Sequence, residues 1–277
     1  MHVRIGCTFS YVAEIPTAAI VQVEPRLDRD LARPSERVPV SLREEWSTDP
    51  ALETHTYRDG FGNRCRRVTL PVGRTVLGFD AVVATSDEPD EVDEGAQEIA
   101  PDRLPDEVLA FTVPSRFCPS DQLGDVAWTE FGAQAPGFAR VQAVCDFVHD
   151  RLRFDYLASS PLASALDVYE ARAGVCRDFA HLGISICRAL NIPSRYAFGY
   201  IPDVGPNAVL DGSPMDFCAW MEVFLGGRWW TFDPRNNVRR MGRVLVGLGR
   251  DAVDVAMVTA FGGPTLTSMV VWADQLR

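Results

Sequence analysis

The sequence predicts an α+β protein. Its 277 residues are 47% hydrophobic, which is enough for a substantial core. Residues 1–84 consist of short runs with the polar/apolar alternation of β-strands, whereas the chain after residue 107 begins with helical periodicity and then returns to strands. A strongly acidic stretch separates the two. We therefore expect an N-terminal β domain over 1–84, an acidic linker over 85–107 and a mixed core over 108–277.

The N-terminal strands are predicted from β-branched residues between Pro, Gly and Asp turn signals. Their sequences are RIGCTFSYVAEI, AAIVQVEP, ETHTYRDGFGNRCRRVTLPV and RTVLGFDAVVAT, and RDGFGN (58–63) is a turn within the third. The stretch that follows, TSDEPDEVDEGAQEIAPDRLPDE (85–107), is punctuated by prolines and is too polar to bury. It is therefore predicted to be an interdomain linker.

Three amphipathic helices are predicted in the core. GFARVQAVCDFVHDRL (137–152) has apolar residues at three- and four-residue steps, and SALDVYEARAG (164–174) opens with Ser164 and Asp167 in capping-box spacing. The third helix covers 175–190, ends before NIPSR, and is followed by the strand-like RYAFGYI. Helices followed by strands predict an α+β core.

Cys176 would lie in the first turn of the third helix. Unpaired N–H groups and the helix macrodipole favour an anion there, so the thiolate is expected to be more stable than in a free cysteine. Gly174 allows a tight entry that leaves the thiol at the mouth of a cleft. Cys176 is thus a candidate nucleophile, and the alternative is a small buried apolar residue.

A β-hairpin is predicted at LGGR (225–228), because a Gly-Gly pair favours a two-residue turn. This turn would set the register so that Trp220 faces Asp233 and Cys218 faces Arg235. Side chains alternate between the two faces, which makes Cys218 and Asp233 diagonal neighbours on one side of the hairpin. That spacing suits a catalytic group and the carboxylate that orients it.

Composition disfavours several classes of protein. A formal net charge of −11 disfavours nucleic acid and anionic membranes, since phosphate binding needs a basic surface. We find no stretch of roughly 18 apolar residues and no signal peptide, so no membrane span is expected. The seven cysteines are scattered without C-x-x-C spacing, which argues against a disulfide framework or a structural zinc site. These features predict a cytoplasmic protein.

GVCRDFAHLGISICRALNIPSRYAFGY, followed by AWMEVFLGGRWWTFDP, resembles the bacterial transglutaminase-like superfamily. This family is related to animal transglutaminases and protein N-glycanase, and its members are often described as cysteine proteases. The resemblance covers roughly 140–275, and the RDGFGN turn is similar to the β domain that precedes the core in bacterial members. It implies a papain-like, transglutaminase-like core, with the nucleophile Cys at a helix N-terminus packed on an antiparallel sheet.

The resemblance also implies a Cys-His-Asp triad, of which this chain matches two members. Cys176 corresponds to the nucleophile and Asp233 to the aspartate of the D-P motif, but Cys218 holds the position of the strand histidine. Asn236 occupies the position from which a histidine acts in another branch of the family. His181 lies five residues after Cys176, about 140° around the helix, and is expected to point away from it.

Because Cys218 replaces the histidine of the triad, two functions are open. The chain could act on amide bonds through a Cys176 thioester, by hydrolysis or acyl transfer, with weak or altered activity, because losing a triad member typically costs on the order of 10⁴ in rate. Alternatively, it is a catalytically inactive pseudoenzyme that binds a peptide or protein. Both functions imply a peptide or protein partner, no cofactor and no metal.

Two further interpretations concern residues around this site. Trp220 and Trp229 flank it in sequence and are either core residues or an aromatic wall for an extended substrate, so they are candidate substrate-binding residues. A third function, a metal site formed by Cys176, Cys218 and Asp233, has tolerable ligand types for zinc but lacks the sequence spacing of known metal sites.

Overall fold

The computed structural model describes residues 1–26, 40–158, 160–208 and 215–276. It confirms the α+β fold class. The strands of the N-terminal segment are β1 (His2–Ala13), β2 (Thr17–Val21), β3 (Val40–Asp49), β4 (Thr54–Arg58), β5 (Arg64–Leu70) and β6 (Gly73–Ala84). The following helices and short strands are α1 (Asp106–Leu109), α2 (Gly124–Phe131), α3 (Phe138–Arg151), β7 (Arg153–Phe154), α4 (Ala165–Ala171), β8 (Ala173–Gly174) and α5 (Cys176–Ala189). The remaining strands are β9 (Ser194–Tyr200), β10 (Cys218–Leu225), β11 (Arg228–Phe232), β12 (Val244–Gly249), β13 (Val258–Ala260) and β14 (Thr265–Leu276).

Three four-stranded antiparallel sheets carry the fold. Two of them, in the orders β14-β1-β6-β3 and β13-β2-β5-β4, contain the N-terminal strands, and the third has the order β11-β10-β9-β12. The last two strands of the described chain therefore pair with N-terminal strands, β14 with β1 and β13 with β2. The predicted domains 1–84 and 108–277 do not include this pairing between the two segments, because hydrophobic patterning identifies a strand but not its partner.

The core consists of helices packed on the third sheet. Every residue of β9 is buried, and α5 lies against β9 and β10 on one side and the other helices on the other. The capping box of α4 is present as predicted: the Ser164 hydroxyl accepts from the N–H of Asp167, and the Asp167 carboxylate accepts from the N–H of Ser164. In the described ranges, no helix has the length and apolar character needed to cross a membrane.

The β10–β11 hairpin has the predicted register from Met221 to Phe232. Met221 pairs with Phe232, and Leu225 pairs with Arg228. Gly226 and Gly227 have φ values of 60° and 88°, and a two-residue turn of this kind requires positive φ at both positions. Strand β11 ends at Phe232, so the chain leaves the ladder before Asp233.

The acidic stretch (85–107) contacts the core through ion pairs. Asp90 pairs with Arg243 and Glu98 with Arg140, at 2.9 and 3.0 Å. Ala96 is buried, and its carbonyl accepts from the N–H of the first residue of α3. Asp90 and Glu98 therefore contact the core through its arginines, whereas residues 92–95 and 97 are exposed, as expected of a stretch too polar to bury.

Candidate active site

A cleft of about 710 Å³ lies between the core and the N-terminal sheets. The core side contributes the start of α5 and parts of β9 and β10, including Cys176, Tyr196, Phe198, Phe217 and Cys218. The opposite side contributes residues of β1 and β14, including Phe9, Tyr11, Leu266 and Met269. Most of these side chains are apolar, so the cleft suits an apolar ligand segment. The wall from β1 and β14 is not visible in the sequence, because it depends on how the sheets pack.

The chain enters α5 through a constrained turn that presents Cys176 to the cleft. The Asp178 carboxylate accepts from the N–H of Val175 at 3.0 Å and pairs with Arg177 at 2.8 Å. A Cβ at Gly174 would lie 2.7 Å from the Asp178 side chain, so this position requires glycine. Cys176 is partly exposed as the first residue of α5, where the sequence placed the candidate nucleophile.

The Cys176 thiol is protonated at neutral pH. It donates to the carbonyl oxygen of Phe217 over 3.8 Å. Burial raises its pKa to about 11, although the charge of Arg235 and the backbone N–H of Ala219 act in the opposite direction. The expectation that the helix N-terminus makes this thiol more acidic than a free cysteine is therefore wrong. Desolvation in the apolar cleft is the largest cause, and it exceeds the lowering by Arg235 and by the backbone N–H of Ala219.

We predict a specific pH profile for alkylation of Cys176. Because the thiolate reacts and its pKa is about 11, the rate with iodoacetamide should increase about tenfold per pH unit from pH 7 to pH 10. Peptide mapping by mass spectrometry would give the rate at this residue, with N-acetylcysteine as the free-thiol control. A plateau below pH 9 would contradict the prediction.

Cys218 begins β10 and also reaches the cleft. Its thiol donates to the carbonyl oxygen of Asp216 over 3.8 Å. Burial, together with the negative charge of a Cys176 thiolate, raises the pKa of Cys218 to about 12. The Cys218 thiol is therefore protonated at neutral pH and does not act as a base toward Cys176.

Asp233 is a buried anion held by its own neighbours. One carboxylate oxygen accepts from Arg243 and from the side chain of Asn236, both at 2.8 Å, and the other accepts from the N–H of Asn236 at 3.0 Å. Burial acts to raise the pKa of Asp233, but Arg243 and Asn236 more than compensate and lower it. Asp233 lies close enough to raise the pKa of both cleft thiols. The structure thus places Cys176 and Cys218 in one cleft, with Asp233 within electrostatic range of both but in a separate cavity, held by arginine and asparagine.

Trp220 and Trp229 lie outside the cleft. Trp220 is only 1% exposed, and the Arg243 guanidinium lies 5.0 Å from the centroid of its ring. Trp229 packs edge-on against Phe111 at a centroid distance of 5.4 Å. Both line a separate cavity of about 100 Å³. They are core residues, and the aromatic side chains that line the cleft are Phe9, Tyr11, Phe117, Tyr196, Phe198 and Phe217.

The histidines lie elsewhere in the structure. His181 is fully buried, and its Nε2 accepts from the N–H of Ala252 at 3.1 Å. Burial lowers the pKa of His181 well below its usual range, so the ring is neutral. Nδ1 of His149 lies 2.9 Å from the carbonyl oxygen of Arg235. Among the described residues that line the cleft, no imidazole faces Cys176.

A metal centre at this position has no support from the donor groups. Within the described ranges, no three or more His, Cys, Asp or Glu side chains are arranged to hold an ion. Asp233, the third ligand of the metal interpretation, already accepts hydrogen bonds from Arg243 and Asn236.

Cys176 opens a helix that packs on an antiparallel sheet, and Asp233 follows the β10–β11 hairpin, which is the arrangement that the resemblance to transglutaminase-like proteins implies. A model of the transglutaminase-like superfamily matches residues 127–234, a span that contains Cys176, Cys218 and Asp233. A solved structure from Cytophaga hutchinsonii, described as a candidate cysteine protease, is 30% identical. That match covers 100% of this chain and 91% of the other, with a TM-score of 0.86. The chain belongs to the transglutaminase-like superfamily.

Mycobacterial proteins are also similar in sequence. An uncharacterized protein of Mycobacterium leprae is 37% identical over 112 residues, a match that covers 38% of this chain and 39% of that protein. An uncharacterized protein of Mycobacterium bovis is 28% identical over 231 residues, which is 75% of this chain and 72% of that protein. The chain thus matches well under half the length of the Mycobacterium leprae relative.

Proposed function

We propose that this protein binds an extended, apolar peptide or protein segment in the Cys176 cleft, and that thioester chemistry at Cys176 is residual. One observation supports this most directly: Cys176 is present at the nucleophile position, but no histidine among the described residues faces it to act as a base. Cys176 still opens α5 at a cleft of about 710 Å³, yet its neighbour is the Cys218 thiol. Such a cleft can bind a chain segment, but Cys176 would form a thioester with that segment only slowly.

The protonation state of Cys176 limits amide chemistry. With a pKa of about 11, about one thiol in ten thousand is ionised at pH 7. A triad histidine has a second task, since it protonates the leaving amine, and neither thiol can take that task over. Both steps are therefore expected to be slow.

Efficient acyl transfer or hydrolysis is the second candidate function. It is favoured by the backbone N–H of Ala219 and the charge of Arg235, both of which stabilise a Cys176 thiolate once it forms. The description of the Cytophaga hutchinsonii relative as a candidate cysteine protease points the same way. Turnover of peptide amides or thioesters that disappears in Cys176→Ala, with kcat of about 1 s⁻¹ or more, would favour this function over binding.

Binding in the cleft can be tested with one matched pair of variants on β14. Met269 lines the cleft and is 36% exposed, whereas its neighbour Val270 is 55% exposed on the other face of the strand. Peptides selected from a random display library against the wild type should bind Met269→Glu at least about tenfold more weakly, since a carboxylate in an apolar cleft costs desolvation. Val270→Glu should bind as the wild type does, measured by fluorescence anisotropy.

Equal peptide affinity for Met269→Glu and the wild type would contradict binding in this cleft. Thermal unfolding of both variants would show that any loss of peptide affinity is not due to unfolding.

We also propose a cytoplasmic location, which is supported by the presence of all seven cysteines as free thiols.

A further inference from the structure

Two of the seven cysteines differ from the rest in their surroundings. Cys176 and Cys218 are partly exposed and line the same cleft. The other five are buried: Cys7, Cys65, Cys118, Cys145 and Cys187. A reagent in solution can therefore reach two thiols side by side while the others remain protected.

The backbone of β10 shows how close these two residues are. The Cys176 thiol donates to the carbonyl oxygen of Phe217 at 3.8 Å, and the backbone N–H of Ala219 lowers its pKa. These two peptide groups flank Cys218. In an extended strand these two groups point to the same edge, and Cys218 itself pairs with Gly199 on the opposite edge. The sulfur of Cys176 therefore lies alongside the backbone of Cys218.

We propose that Cys176 and Cys218 form a dithiol modification site, which a small-molecule disulfide of the glutathione class converts into an internal disulfide. The Cys176 sulfur lies 3.8 Å from the carbonyl oxygen of the peptide group that precedes Cys218. Disulfide formation requires the Cys218 side chain to rotate toward this sulfur, with the two Cα atoms roughly 4.4 to 6.8 Å apart. This inference concerns the thiol pair alone and does not depend on the proposed peptide binding.

The reaction consists of two exchange steps. The Cys176 thiolate attacks one sulfur of oxidised glutathione, a mixed disulfide forms, and one glutathione thiolate leaves. The Cys218 thiolate then attacks the Cys176 sulfur of the mixed disulfide and releases the second glutathione. Two protein thiols are oxidised, the glutathione disulfide is reduced to two thiols, and the two protons from the protein pass to them.

The surroundings act on the exchange steps. The charge of Arg235 stabilises the thiolate of either cysteine during exchange. The two neutral thiols and the disulfide product carry no charge, so the cost of a thiolate in the apolar cleft slows the exchange without opposing the product. The disulfide also occupies the nucleophile, which blocks thioester formation at Cys176 reversibly.

The experiment exposes reduced, folded protein to oxidised glutathione, blocks the remaining thiols by alkylation and maps peptides without reduction. We expect a crosslinked peptide pair containing Cys176 and Cys218, loss of alkylation at both, and full recovery after dithiothreitol. In Cys218→Ser the reaction should stop at one glutathione adduct on Cys176. Cys145→Ser, at a buried thiol, should form the crosslink as the wild type does.

Two results would overturn the proposal. One is a stable glutathione adduct on Cys176 of the wild type without a crosslink, which would show that Cys218 cannot reach it. The other is alkylation of Cys176 and Cys218 at unchanged rates after prolonged exposure to oxidised glutathione at pH 9, where exchange is faster. Circular dichroism of each sample would confirm that the protein is folded.

Discussion

Replacing Cys218 with histidine is expected to raise Cys176-dependent turnover of a peptidyl thioester by about 10²-fold to 10⁴-fold, the usual contribution of a general base. An imidazole at position 218 would lie beside the Cys176 sulfur, where it can accept the thiol proton. Asp233 can orient it, because the carboxylate is ionised and its Oδ1 accepts one hydrogen bond in the described part of the chain. A carboxylate oxygen can accept a second.

Two controls separate this effect from unrelated changes. Cys218→Ser removes the thiol without adding a base and should keep the wild-type rate. Cys176→Ala combined with Cys218→His should be inactive, because the nucleophile is missing. A folded Cys218→His variant with no gain in turnover would show that the cleft lacks more than its base.

Replacing Arg243 with methionine is expected to lower the free energy of unfolding by about 3 to 5 kcal/mol, the usual cost of removing one partner from a buried ion pair. The Arg243 side chain is 8% exposed and bridges Asp90 and Asp233, which are 14% and 2% exposed. Without it, two carboxylates remain in the interior without their cation. Urea denaturation would measure the loss, with Arg153→Met as the control.

Arg153 is a suitable control because its pair with Asp155 is solvent-exposed, and such pairs contribute about 0 to 1 kcal/mol. The pH dependence gives a second test. The pKa of Asp233 is lower in the folded state, so its contribution is complete above the pKa of an unfolded aspartate, about 3.9, and is lost as the pH falls through the folded value. The difference between Arg243→Met and the wild type should therefore shrink in acid. A constant difference from pH 7 to pH 3 would contradict this account of Asp233.

The parts of the fold that depend on residues close together in the sequence could be predicted. The capping box at Ser164, the start of α5 at Cys176 and the glycine turn at Gly226 are local signals, and each lies where it was predicted. The register of the hairpin followed from its turn. These signals suffice to place the candidate nucleophile at the start of α5 and the aspartate directly after the hairpin.

The parts that depend on distant residues could not be predicted. Strand β3 (Val40–Asp49) was missed because it is a charged edge strand without a buried face, so its sequence lacks the usual alternation. The sequence leaves Trp220 as either a core residue or part of a substrate wall, because it is close to Cys218 along the strand. In the structure it is buried in a small apolar cluster against which Cys218 packs. The pKa of Cys176 depends on the cleft that surrounds it, and the cleft exists only once the N-terminal sheets are in place.

The pairing of β1 with β14 has a consequence for biosynthesis. Phe9 of β1 leaves the ribosome early and Met269 of β14 late, yet the two are direct partners in one sheet and both line the cleft. The open edge of β1 must stay free of other strands until its partner emerges, which makes closure of this sheet a late, long-range step. A nascent chain stalled before residue 265 therefore has the Cys176 turn and β1, but it lacks the part of the facing wall that β14 contributes.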